Sequence, residues 1–130
     1  MSHPDAPGLL ALNQRLLDCI ASGDWSAYSE LSDPELTAIE SEAPGQIVSG
    51  LAFHRFYFDL GAQPGPRQTT MCQPVVHVQG DMAVIAYVRL NQKTSADGSP
   101  KTVASAETRV WRRRGGVWRH LHFHRSPLGI

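Results

Sequence analysis

Apolar side chains in the first part of the chain recur at helical intervals. Leu9, Leu12, Leu16, Cys19 and Ile20 lie three and four residues apart and predict an amphipathic helix over about 7–22. Gly23 ends it, and Asp24 suits the N-cap of a short second helix carrying Trp25, Tyr28 and Leu31. Asp33-Pro34 predicts a turn, Glu35–Glu40 a short strand, and Ala43-Pro44-Gly45 a loop. Ser49 is placed to N-cap a third helix over 50–60, with Gly61 in the C′ position. Phe53, Phe56, Tyr57 and Leu60 would share its apolar face, with His54 at the margin. Residues 61–66 then read as a loop.

The period changes after residue 66. Residues 67–79, 82–94, 101–114 and 117–125 are β-rich segments separated by Gly80-Asp81, Asp97-Gly98-Ser99-Pro100 and Gly115-Gly116, which is hairpin chemistry. Helices followed by a meander of long strands predict an α+β domain, a curved antiparallel sheet with helices on one face. Residues 1–8 are expected to be a flexible tail and 9–130 a single domain.

Strand alternation gathers an unusual set of side chains. Ile85, Tyr87 and Arg89 share one face; so do Ser105, Glu107, Arg109 and Trp111; so do Leu121, Phe123 and Arg125. Arginine is almost never fully buried unless paired. Arg89, Arg109 and Arg125 among apolar neighbours therefore imply either internal ion pairs, with Glu107 the first carboxylate to consider, or a pocket for an anion. Guanidinium forks bind carboxylates bidentately, and a half-apolar cavity of this kind suits a small carboxylic acid.

Composition narrows the partners. The 130 residues carry 12 Lys and Arg against 12 Asp and Glu, so no net charge draws the chain to nucleic acid or to an anionic membrane. Arg112-Arg113-Arg114 before Gly115-Gly116 reads as a solvated hairpin turn. No run approaches the ~20 apolar residues of a membrane helix, and the N-terminus lacks a signal-peptide pattern. Cys19 and Cys72 lack metal spacing and fit a reducing, cytoplasmic setting. His120, His122 and His124 alternate along the last strand and are expected to share a face. No further ligand is evident, so neither metal nor cofactor is expected there, and the triplet instead suggests a pH-sensitive interface. If the chain is an enzyme, His54 and Glu107 are the candidate bases, with Tyr87 as a hydrogen-bond donor.

Several segments together resemble a known family. Phe53-His54-Arg55-Phe56-Tyr57-Phe58, Glu107-Thr108-Arg109-Val110-Trp111 and His122-Phe123-His124-Arg125-Ser126 are similar to the association (hub) domain of calcium/calmodulin-dependent protein kinase II. So are Gly23-Asp24, Asp33-Pro34, Gly80-Asp81 and Ile85-Ala86-Tyr87, in order, from about residue 9 to 126. The resemblance implies a cone-shaped, cystatin-like fold of the nuclear transport factor 2-like (SnoaL-like) superfamily, with helices on the concave face of the sheet. It implies a stand-alone homo-oligomer, a dimer or ring of dimers, without kinase motifs. It also implies a cavity in which Arg89, Arg109 and Arg125 clamp a small carboxylate, His54 adds a hydrogen bond, and Tyr87 and Phe123 supply the wall. The family has a tryptophan in the loop after the third helix. Leu60-Gly61-Ala62-Gln63-Pro64-Gly65-Pro66 has none, which leaves that tryptophan's contribution without a counterpart. Two other functions stay open: an enzyme of polyketide-cyclase or ketosteroid-isomerase type using His54 or Glu107, and a purely structural oligomerisation module.

Overall fold

A computed structural model of the chain describes residues 3–129. Helix α1 spans Ala6–Ser22, with Pro7 in its first turn, where a missing N–H costs nothing. Gly23 ends it in the left-handed region (φ 71°), and its N–H reaches the carbonyls of Cys19 and Ile20. A β-carbon at Gly23 would lie 3.1 Å from the Ala62 nitrogen, so the helix end and the later 61–66 loop can meet only over glycine. Helix α2 spans Trp25–Leu31, capped by the Asp24 side chain, which accepts from the Ala27 N–H.

Strand β1 (Ser32–Ile39) follows directly. The turn expected at Asp33-Pro34 is instead absorbed into this strand, where the register with its neighbour shifts between Ser32 and Thr37. The Asp33 carboxylate accepts from the Glu35 N–H, so the turn chemistry survives as a kink. Strand β2 is only Val48–Ser49, paired with Ala38 and Thr37. Ser49 is thus taken by the sheet and does not cap helix α3, Ala52–Asp59, which begins after Leu51 with no side-chain cap. The Gly50 N–H donates to the Leu36 carbonyl at 2.7 Å and ties the approach to α3 to β1. Gly61 follows the helix at φ 82°, as expected for C′.

Strands β3 (Gln68–Gln79), β4 (Met82–Thr94), β5 (Pro100–Arg114) and β6 (Val117–Leu128) form the antiparallel meander. The last strand runs three residues past its expected end at Arg125. The sheet order is β2-β1-β6-β5-β4-β3, with β1 parallel to β6. Helices and curved sheet enclose one core of Leu9, Leu16, Leu17, Tyr28, Leu36, Ile85, Trp111 and Phe123. The Trp111 indole donates to Asn13 Oδ1 at 3.0 Å, pinning α1 to the sheet. No helix among the described residues is long and apolar enough to cross a membrane.

Candidate functional site

Register places the charged side chains before any contact is considered. Glu107 pairs with Tyr87 on one side and Arg125 on the other, and Arg109 pairs with Ile85 and Phe123. These cross-strand rows lie on the face that the helices cover, and they converge on Glu107.

Both Glu107 oxygens are fully engaged. Oε1 accepts from the Tyr87 hydroxyl at 2.6 Å and from Arg109 Nε and Nη2 at 3.1 and 2.9 Å. Oε2 accepts from Ser105 Oγ at 3.1 Å and Arg89 Nη1 at 3.3 Å. Burial alone would raise the carboxyl's pKa, but the Arg109 and Arg89 charges and these hydrogen bonds outweigh it and hold it to about 2. Arg109 is itself 1% exposed, and its guanidinium lies 4.4 Å over the Phe123 ring. Its remaining Nη1 meets His120 Nε2 at 3.3 Å. Desolvation and the Arg109 charge push the His120 pKa well below its ordinary value, so the ring is neutral and accepts at Nε2.

Above this floor lies a cavity of about 270 Å³. Arg89, Arg109, Arg125, His54 and Phe123 line it, as do Tyr28, Glu40, Glu42, Tyr57 and Phe58. Tyr87 and Glu107 sit behind the floor. Burial pushes the Tyr28 hydroxyl up to about 12, so it stays protonated. At the mouth, Arg125 Nη2 donates to both oxygens of Glu42, and this pair exposes 21% and 34% of its side chains. Desolvation opposes ionisation of Glu42, yet the Arg125 bond wins and lowers its pKa. His54 Nε2 meets Glu40 Oε2 at 3.0 Å, both groups buried. Three guanidiniums thus face three carboxylates, Glu40, Glu42 and Glu107.

Helix α3 is turned from its expected orientation. His54 is its buried residue, whereas Phe56 and Leu60 are 61% and 69% exposed. The inward side is chosen by partners that periodicity cannot see: Glu40 for His54, and the Tyr28 and Trp25 rings for Phe58, at 4.8 and 5.3 Å. The histidine triplet is also divided. Val110 pairs with His122 but Trp111 with His120, so Leu121 is an extra, bulged residue. The bulge turns His120 into the core, stacked 5.6 Å from Phe123, while His122 meets Thr37 at 2.7 Å across the parallel pair. Leu121 consequently falls out of the row with Phe123 and Arg125.

The profile of the calcium/calmodulin dependent protein kinase II association domain matches residues 6–129. The chain belongs to that family. It is 47% identical over 121 residues to the rabbit (Oryctolagus cuniculus) calcium/calmodulin-dependent protein kinase type II subunit delta, covering 91% of this chain and 23% of that subunit. The hub homology domain of Chlamydomonas reinhardtii is 42% identical with a TM-score of 0.90, over 95% of this chain and 98% of the other. A nuclear transport factor 2-like protein from Salmonella enterica is 22% identical with a TM-score of 0.74, over 95% and 91% of the two chains. That last likeness concerns the fold alone, which is nuclear transport factor 2-like and cystatin-like.

Proposed function

We propose that this association domain is an oligomerisation module whose cavity takes a small carboxylate in exchange for Glu42. Assembly is supported by family membership and by the exposed apolar side chains on α3 and on the uncovered sheet face, such as Phe56, Val88 and Val117. A cytoplasmic, reducing setting agrees with the two unpaired thiols, Cys19 and Cys72.

The observation that carries the ligand reading is the contrast in how the arginines are held. Arg89 and Arg109 are tied to buried Glu107, whereas Arg125 is tied to a carboxylate at the solvent edge. A fourth carboxylate entering the cavity would be an unpaired buried charge, which is costly. Replacing Glu42 by a ligand carboxylate keeps three against three. Arg125 is then the clamp, His54 and Tyr28 lie within the same cavity, and Phe123 and Phe58 receive the apolar part. With a pKa near 2 and both oxygens occupied, Glu107 has no basicity for proton abstraction at neutral pH.

The test is the melting temperature of the protein in millimolar acetate or hydroxybutyrate. A rise is expected for the unmodified chain and its loss in Arg125→Gln, with the fold retained. If neither acid shifts the unmodified protein, the cavity does not bind carboxylates and the domain is an assembly module alone.

A further inference from the structure

A second pocket adjoins the cavity and has the opposite charge economy. It measures about 210 Å³ and shares Ile20, Tyr57 and Phe58 with the first. Gly61, Ala62 and Gln63 of the loop after α3 form another of its walls, and Arg67 and Lys93 bring two positive charges. No carboxylate among the described residues lines it. Neither cation has an ion-pair partner among the described residues, although Arg55, Arg112, Arg113 and Arg114 do.

The sheet register explains why the two charges meet. Gln68 pairs with Gln92 at the start of β3. Arg67 and Lys93 each lie one residue further, so two cations face each other across the open end of the ladder. Like charges placed opposite are destabilising in a sheet unless something neutralises them. By alternation Lys93 is on the same strand face as Tyr87, Arg89 and Asn91, the face that forms the cavity. Polar atoms without partners mark the same row: Arg89 Nε, Asn91 Oδ1 and Arg67 Nε are buried and unbonded. Asn91 Oδ1 is an acceptor, but the two guanidinium nitrogens are buried donors without acceptors, Arg89 at the first cavity and Arg67 at the second, and such donors cost free energy until an anion accepts from them.

We propose that Arg67 and Lys93 form a second anion subsite, so that the cavity's occupant is an elongated acid with an anionic group at each end. This rests on the carboxylate reading for the Arg125 end. One carboxylate replaces Glu42 at Arg125, an apolar spacer runs past Tyr57 and Phe58, and the distal anion sits between Arg67 and Lys93. The α,ω-dicarboxylates are the simplest such class.

The test is calorimetric titration of the whole chain with succinate, glutarate, adipate and pimelate, against monocarboxylates of the same carbon count. A dicarboxylate of fitting length is expected to bind at least about tenfold tighter than its monoacid, as one added charge-assisted contact of ~1.5 kcal/mol implies. Arg67→Gln and Lys93→Gln, both partly exposed and without partners to disturb, are expected to erase that advantage while leaving monoacid affinity unchanged. Equal affinity for mono- and diacids at every length overturns the second subsite and leaves the Arg125 reading intact. A diacid preference untouched by both substitutions also overturns it. Diacid binding that survives Arg125→Gln but falls in Arg67→Gln keeps the subsite and sinks the Glu42 exchange. Binding of neither class overturns both.

Discussion

The floor and the mouth of the cavity use the same chemistry, an arginine against a glutamate, with opposite consequences. At the floor, Glu107 and Arg109 expose 0% and 2% of their side chains and every polar atom of the carboxylate is occupied. At the mouth, Arg125 and Glu42 expose 21% and 34% and the carboxylate comes from the loop after β1. A buried pair contributes little net stability, yet losing one partner strands the other; an exposed pair can open at small cost. Depth therefore separates a locked pair from one that can open at small cost.

The largest difference between the two ends is expected on deletion of the acid. Glu107→Ala leaves two buried guanidiniums without their counterion and should cost about 3–5 kcal/mol in denaturant unfolding. Glu42→Ala should cost less than about 1 kcal/mol. Equal costs would erase the distinction between floor and mouth.

Acid comes next. Because the folded pKa of Glu107 lies below its ordinary 4.5, its contribution is complete above pH 4.5 and is lost as pH falls toward about 2. The loss amounts to about 3 kcal/mol and should be absent in Glu107→Gln. His120 acts in the same direction at higher pH. Buried and neutral in the fold, it opposes protonation, so stability should fall below its ordinary pKa of 6.5 by up to about 1.4 kcal/mol per pH unit. Between pH 6.5 and about pH 5 the melting temperature of His120→Gln should decline less steeply than that of the parent, the remaining slope coming from His122, whose pKa burial also lowers. The smallest stability effect is expected for Arg125→Gln, within about 1 kcal/mol of the parent, although this variant loses carboxylate binding.

What the sequence revealed follows from the range of the interactions involved. Helix α1 and its Gly23 stop, the Asp24 cap and the four long strands are written in local periodicity and turn residues. Strand alternation was enough to bring Arg89, Glu107 and Arg109 onto one face, and that is where they lie. Three features were not legible. A single bulged residue, Leu121, reversed the face of His120, and no local signal marks it. The inward side of α3 follows its partners Glu40 and Phe58's aromatic neighbours, against the larger apolar face of Phe53, Phe56, Tyr57 and Leu60. Glu42 meets Arg125 across 83 residues of chain, a pairing that no local pattern specifies.

The central claim is that the cavity's mouth is closed by an acid of the chain itself, which a ligand carboxylate replaces. The affinity of Glu42→Gln for acetate, measured by calorimetry beside the parent, tests it most directly. Removing the internal competitor should tighten binding about three- to fivefold, equivalent to ~0.7–1 kcal/mol. Unchanged or weaker binding would contradict the exchange and leave Arg125 and Glu42 as a structural pair.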